Sequence, residues 1–463
     1  MTDPYHPSPP PSPAPLPARA RAAVAAVAAV NGTSRLLGRG SGTVIGGRAG
    51  LAVDPGLLTE LGRGRRVAVV TGTNGKTTTT RLLAAALEGA GRTVVSNTTG
   101  ANMPAGHVAA LAADRRSAWA VLEVDEGYLP HLLVQTRPAV VVLLNLSRDQ
   151  LDRIAEVRML VDRWRAALSG LPGDTDCVVV ANADDPMVVW AAREAPAVRW
   201  VGAGQVWHED AVGCPSCGGR IAFSPDGDWS CGGCDFARPG RDAWVDGDDL
   251  VTAGGDRYPI ALGLPGRFNV ANAAMAAVAA PIAAGDVAAD GVGDAAGDAA
   301  GDAAGDAAGD AAGVGLTPDG ALRRMAAVDE VAGRFGSVIR AGRPVRLMLA
   351  KNPAGWTAIF DLLGEAGDGR PPTVLSVNAR VADGLDTSWL WDVPFERLQG
   401  SSVVATGERC RDLAVRLRYA EVDHTTVEDP LRALDTAVAR AGPGAPVEFL
   451  GNYTAFADLR GRL

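Results

Sequence analysis

The chain has 463 residues, enough for two or three domains with separate cores. Its formal charge of -9, from 53 acidic against 44 basic residues, argues against a nucleic-acid binder, which needs a basic stripe to follow phosphates. No apolar run reaches the roughly 20 residues that a membrane-spanning helix requires. Of the 44 basic side chains only two are lysine, Lys76 and Lys351. Where arginine carries almost all positive charge, a retained lysine marks a place that needs a compact ammonium on a flexible stem.

Residues 1–30 read as a disordered proline-rich tail, dense from Ser8 to Pro13, that runs into a first helix. The alanine/valine run Ala22 to Val30 after Arg19-Ala20-Arg21 loosely imitates a signal peptide, but it is short and follows prolines. A cytoplasmic chain is therefore expected. Residues 31–325 form a first α/β domain. Val67-Ala68-Val69-Val70 predicts a buried strand, and Gly72 to Gly75 a glycine turn. The spacing from Thr77 to Ala90 predicts a helix. Trp119–Leu122, Ala139–Leu144 and Cys177–Val180 predict further strands that end in polar residues, as parallel sheets deliver functional groups at carboxyl ends.

Residues 207–241 interrupt this rhythm. Cys214-Pro215-Ser216-Cys217 and Cys231-Gly232-Gly233-Cys234 are two C-x-x-C knuckles, the spacing of a zinc ribbon. Four thiolates suit a soft ion such as zinc and leave no open position, so the expected role is structural. Cys177 and Cys410 read as ordinary buried residues. At 293–313 a Gly-Asp-Ala-Ala unit repeats five times, which predicts a flexible loop. Strands at Val345–Leu349, Thr373–Val377, Ser402–Ala405 and Val447–Leu450 predict a second, Rossmann-like α/β domain over 326–463.

The turn Thr73-Asn74-Gly75-Lys76-Thr77 follows a strand and opens a helix, the setting in which backbone amides cradle phosphate oxygens. Lys76 then suits the β/γ-phosphates of ATP, and the Thr77 hydroxyl suits Mg²⁺. The general motif places a glycine where Val70 stands.

Thr71-Gly72-Thr73-Asn74-Gly75-Lys76-Thr77-Thr78 resembles the phosphate loop of the Mur ligases, the ATP-dependent amide-bond-forming enzymes of peptidoglycan synthesis. Leu122-Glu123-Val124 resembles their magnesium-holding strand, and Asn145 to Arg153 resembles their N-x-x-x-D-H-x-D-R segment. Asn182 to Pro186 matches a family turn. Gly266-Arg267-Phe268-Asn269-Val270-Ala271-Asn272 resembles the adenine-side G-x-H-N-x-x-N. Gln150 and Phe268 stand where the family has histidines. The family's carbamylated lysine has no counterpart, because residues 77–350 contain no lysine.

The inserted cysteines, Ala350 to Gly355, Asp383 to Trp389 and Gly451 to Thr454 narrow the resemblance to the MurT-type subgroup. That resemblance implies amidation of the D-glutamate α-carboxylate in the lipid II stem peptide, through an acyl phosphate. The ammonia would come from a GatD-type glutaminase partner, and the reaction would run at the inner face of the membrane. It implies ATP on Thr73, Asn74, Gly75, Lys76, Thr77 and Thr78, with Asn269 and Asn272 near adenine. Mg²⁺ would sit at Thr77 and Glu123, and Zn²⁺ on Cys214, Cys217, Cys231 and Cys234. Lys351 would add a second cation near the γ-phosphate. Asp386, with Asp383 as second choice, would complete the partner's Cys-His pair into a triad. The family's usual D-N-x-A-D reads Ala379-Arg380-Val381-Ala382-Asp383 here. Two other readings are an amino-acid-adding Mur or folylpolyglutamate-type ligase, and a nucleotide-binding scaffold without catalysis.

Overall fold

The computed structural model describes residues 12–36, 43–97, 101–148, 154–204, 207–224, 226–287, 315–329, 335–364, 370–442 and 444–463. The Gly-Asp-Ala-Ala loop, the tail up to residue 11, and Gln150 lie outside them.

The first domain is built on strands β1 (Arg66–Thr71), β2 (Val94–Ser96), β3 (Trp119–Glu123), β4 (Val140–Leu143), β5 (Val178–Asn182) and β6 (Val198–Gly202). After an excursion that holds the hairpin β7 (Ile221–Phe223) and β8 (Trp229–Cys231), the chain adds β9 (Ala243–Asp246), β10 (Asp249–Thr252) and β11 (Arg257–Pro259). The nine-stranded sheet runs β11-β10-β9-β6-β5-β4-β1-β3-β2. It is parallel from β2 through β9, and β9, β10 and β11 pair antiparallel.

Alternate residues of the central strands feed two cores, as the period of two requires. Val70, Val121, Val142 and Val180 pack on one face with helices Lys76–Gly89, Arg267–Ala284 and Pro318–Met325. Val69, Leu122, Val141 and Val179 pack on the other, with helices that include Ala18–Leu36, Pro104–Ala113 and Leu129–Thr136. Strands buried on both faces read as continuous apolar runs, which is why these were visible in the sequence.

The second domain carries β12 (Phe335–Arg340), β13 (Arg343–Leu349), β14 (Thr373–Ser376), β15 (Val403–Thr406), β16 (His424–Thr426) and β17 (Val447–Gly451). Its sheet runs β12-β13-β17-β14-β15-β16, with β12 antiparallel to an otherwise parallel set. Trp356, Phe360, Phe395 and Leu413 cover one face, and Leu434, Val438, Phe456 and Leu459 the other.

Arg148 joins three parts of the molecule. Its guanidinium pairs with Asp210 at the start of the excursion and lies 3.7 Å from Asp392 of the second domain. No helix among the described residues is long and apolar enough to cross a membrane.

Candidate active site

β1 delivers the glycine turn to the sheet's carboxyl edge beside β3 and β4. Val70 is part of that strand, paired with Glu123 and Val142, so the turn begins only at Gly72. Gly72 has φ +140°, and a Cβ there would stand 2.9 Å from Leu144 Cβ. The tight approach and the positive φ both require glycine. Gly75, at φ +86°, caps the helix Lys76–Gly89, and a Cβ on it would meet Asn272 Oδ1 at 2.4 Å.

The Asn145 segment buttresses this turn. Thr73 N donates to Asn145 O at 2.9 Å, Asn74 N to Asn145 Oδ1 at 2.8 Å, and Asn145 Nδ2 to Asn74 O at 3.0 Å. The reading of the Thr73 to Thr77 amides as a phosphate cradle narrows here. The first two are committed to the neighbouring strand's loop, and the residues of this turn that line the cleft are Asn74, Gly75, Thr77 and Thr78.

The structure brings Thr77 and Glu123 together. Thr77 Oγ1 donates to Glu123 Oε2 at 2.8 Å, and Glu123 is 1% exposed. A network holds the glutamate: Glu123 N donates to Asn97 Oδ1 at 2.8 Å, Asn97 Nδ2 to Glu123 O at 2.8 Å, and Asn102 Nδ2 to Glu123 Oε1 at 3.4 Å. His107 Nε2 lies 2.8 Å from the same carbonyl. A hydroxyl beside a buried carboxylate at a helix start is a donor set for a hard, oxygen-seeking divalent cation, and Mg²⁺ fits it.

Lys76 is 4% exposed, and Nζ lies 3.0 Å from Glu126 Oε1. Glu126 opens the short helical turn Glu126–Tyr128 after β3, which Asp125 caps through Gly127 N at 3.0 Å. Trp164 Nε1 fixes the backbone there by donating to Glu126 O.

A cavity of about 400 Å³ opens beside the turn. Asn269, Asn272 and Phe268 of helix Arg267–Ala284 line one side of it; Asn182, Asp184 and Gly202 line another. Asn269 Nδ2 donates to Pro265 O at 2.7 Å, and Asn272 Nδ2 reaches Asn269 Oδ1 at 3.5 Å. The second domain supplies the far wall through Met348, Leu349, Ala354 and Gly355; Lys351 sits in the strand-to-helix turn between them but is not among the lining residues. A larger groove of about 780 Å³ on the second domain is rimmed by charges that pair with each other: Arg380 with Glu408 and Asp458, and Arg411 with Glu428.

The four cysteines converge. Their Sγ atoms all lie within 4.8 Å of one another, with Cys214 to Cys234 at 3.7 Å and Cys217 to Cys231 at 3.5 Å. Tetrahedral bonds of about 2.3 Å to zinc place sulfurs about 3.8 Å apart, so the set fits the ion. Gly219 N and Gly233 N donate to Cys217 and Cys231 Sγ at 3.3 and 3.2 Å. The Gly233 amide brings the Cys231 thiol down to about 7. Cys177 and Cys410 are both buried.

The two aspartates of the second domain differ. Asp383 is 8% exposed and accepts from Thr454 N at 2.9 Å and from the Thr454 hydroxyl, tying its loop to the last helix. Asp386 is exposed and accepts from Ser388 N at 2.8 Å; that backbone bond, then the Ser388 hydroxyl, holds its carboxyl below the usual range. Its neighbour Leu385 is 72% exposed, and Val381, five residues earlier, is 90% exposed.

The Mur ligase middle domain matches residues 70–280, and the MurT ligase C-terminal domain matches residues 349–456. This chain carries a Mur ligase middle domain joined to a MurT-type C-terminal domain. It is 27% identical to the lipid II isoglutaminyl synthase (glutamine-hydrolyzing) subunit MurT of Staphylococcus aureus, over 92% of this chain and 93% of that one. To the subunit of the same name from Streptococcus pneumoniae it is 29% identical, over 92% of each. Those named relatives are subunits of a glutamine-hydrolysing ligase. Among solved structures, the folylpolyglutamate synthase of Mycobacterium tuberculosis complexed with ADP matches at TM-score 0.57 and 18% identity, over 88% of this chain and 92% of that one. The UDP-N-acetylmuramoylalanyl-D-glutamyl-2,6-diaminopimelate--D-alanyl-D-alanyl ligase of Acinetobacter baumannii matches at TM-score 0.57 and 16% identity, over 90% and 79%. At these identities the likeness is one of fold.

Within the Mur-type domain, sequence reasoning found the turn, Glu123 and the cysteines. It missed Glu126, Asn97, His107 and Arg238, because each acts through a partner distant in sequence and carries no motif of its own; Asp184 lies in the noted Asn182–Pro186 turn, but its pairing with Arg238 has no signal in the sequence.

Proposed function

We propose that this chain is the synthetase subunit of a lipid II isoglutaminyl synthase, amidating the D-glutamate α-carboxylate of the stem peptide at the expense of ATP. The observation that carries this reading is the Thr77–Glu123 contact at a phosphate-type turn, facing a cleft whose far wall is the MurT-type domain.

A carboxylate is a poor electrophile, so it must be activated before ammonia can attack. One carboxylate oxygen attacks the γ-phosphorus, the bond to the bridging oxygen breaks, and ADP leaves. Ammonia then adds to the acyl carbon and loses a proton, and phosphate departs with the carboxylate oxygen. Positioning and charge neutralisation supply most of the catalysis in phosphoryl transfer. Gly75, Thr77 and Thr78 hold the phosphate end of ATP, with Asn269 and Asn272 on the cleft wall beside it. Lys76 neutralises charge at the β/γ-phosphates. Lys351, in the turn between Leu349 and Gly355 whose ends line the cleft, is the second cation. Mg²⁺ held by Thr77 and Glu123 would supply charge neutralisation on the phosphates, and zinc on the four cysteines would supply rigidity.

The five histidines are scattered, and neither cysteine outside the cluster sits in a nucleophile turn, so ammonia comes from a partner or from solution. A GatD-type glutaminase docks on the second domain, where Asp386 offers an exposed carboxylate next to exposed Leu385. Its role is to orient the partner's histidine and stabilise the imidazolium. The lipid-linked substrate places the reaction at the inner face of the membrane.

The test is phosphate release by the purified complex. Release should require both lipid II and ammonium. Release that ignores lipid II refutes the substrate, and no release under any combination leaves only a scaffold.

A further inference from the structure

The four-cysteine excursion does not hang off the molecule. Its own small core, Ile221, Trp229 and Phe236, packs on Val189 and Trp190 of helix Pro186–Ala192, and Phe236 meets Trp190 edge-on at 5.5 Å. Arg158 of helix Ile154–Ser169 donates to Pro215 O inside the first knuckle at 2.9 Å.

The same excursion reaches the cleft. Trp229, two residues before Cys231, donates through Nε1 to Ala183 O at 3.0 Å. Arg238, four residues after Cys234, pairs with Asp184, whose other oxygen accepts from Gly204 N at 2.5 Å. Asp184, Gly202, Gly204, Arg238 and Arg241 all line the cavity. The Arg241 stem and the Arg238 guanidinium both pass over Gly202. A Cβ there would stand 2.7 Å from Arg241 Cδ, 2.9 Å from Trp244 Cβ and 3.2 Å from Arg238 Nη2. Asp184 is 6% exposed, and burial pushes its carboxyl up while Arg238 pulls it down. Without Arg238 this carboxylate is left buried and under-compensated, so the 182–204 wall must rearrange.

We infer that the cysteine ribbon is a wall of the nucleotide cleft, with Arg238 as the positioning residue, so that metal on the cysteines and nucleotide in the cleft bind with positive coupling. The inference rests on the nucleotide reading of the cleft given above. Coupling of this kind is reciprocal, and a factor of about ten lies within its usual range.

The experiment is calorimetric titration of ADP-Mg²⁺ into wild type and Arg238→Met, each zinc-loaded and zinc-stripped. Stripping should weaken wild-type binding about tenfold, and loaded Arg238→Met should bind about tenfold more weakly than wild type. Stripping that variant should change little, because the link is already cut. Arg238→Lys should recover part of the loss. Equal binding by loaded Arg238→Met and wild type, or losses that multiply, would overturn the coupling alone. A wild type that binds no nucleotide would overturn the cleft assignment and the coupling together. If stripping unfolds the chain, Trp229→Phe decides instead. It keeps all four thiolates and removes only the indole bond to Ala183, so it should weaken nucleotide binding several-fold, and unchanged binding overturns the inference.

Discussion

Lys76 Nζ stands 3.0 Å from Glu126 Oε1 while also donating to Gly72 O at 2.6 Å and Thr73 O at 3.3 Å. An ammonium has three donors, and all three are used. Engaging a phosphate therefore means giving up one of these acceptors, and Glu126 is the one on a separate loop.

Glu126→Gln removes the charged competitor. The empty protein should melt at a lower temperature, because the buried ammonium loses its counter-charge. ADP-Mg²⁺ should raise the melting temperature by more than in wild type, with affinity several-fold tighter. Scanning calorimetry with and without nucleotide reads both. Lys76→Arg should lose at least about a hundredfold in turnover, since a planar guanidinium cannot take three acceptors around one point.

The Thr77–Glu123 pair predicts a metal phenotype. Thr77→Ala and Glu123→Gln should each raise the Mg²⁺ needed for half-maximal phosphate release roughly tenfold or more. An unshifted magnesium titration would move the metal elsewhere.

The strands of both parallel sheets were legible as valine-rich runs, since burial on both faces leaves nothing for polarity to do. The glycine turn was legible because its geometry restricts residue choice at Gly72 and Gly75. The cysteine cluster was legible because ligands must be thiols at fixed spacing. Edge elements were not: β2, β11 and β16 are three residues each, too short to show a period. Nor was the use of the Asn145 loop to occupy the Thr73 and Asn74 amides, which depends on how two strands sit side by side.

Asp386 and Asp383 separate by burial. Asp386→Asn should abolish glutamine-driven amidation in the complex and leave ammonium-driven amidation near wild type. Asp383→Asn should instead lower the melting temperature, because it weakens the anchor to Thr454. Comparing the two ammonia sources in one assay checks this; parallel loss with both sources would deny Asp386 a role in the partner's site.

His107 gives a pH dependence. Nε2 donates to Glu123 O, Nδ1 is buried with no hydrogen-bond partner among the described residues, and burial pushes the imidazole pKa below 6.5. As pH falls through about 6.5 the unfolded chain binds a proton that the folded one refuses. Stability is therefore full above that pH and lost below it, at up to about 1.4 kcal/mol per pH unit for this one group. Urea unfolding between pH 8 and 5.5 should show a shallower decline in His107→Gln than in wild type.

The most direct measurement is the mass of lipid II after incubation with this chain, a GatD-type glutaminase, ATP, Mg²⁺ and glutamine. The account predicts exchange of one hydroxyl for one amine on the stem-peptide D-glutamate, dependent on ATP and lost with Lys76→Arg. Unaltered lipid II, with ATP bound and glutamine hydrolysed, would contradict it.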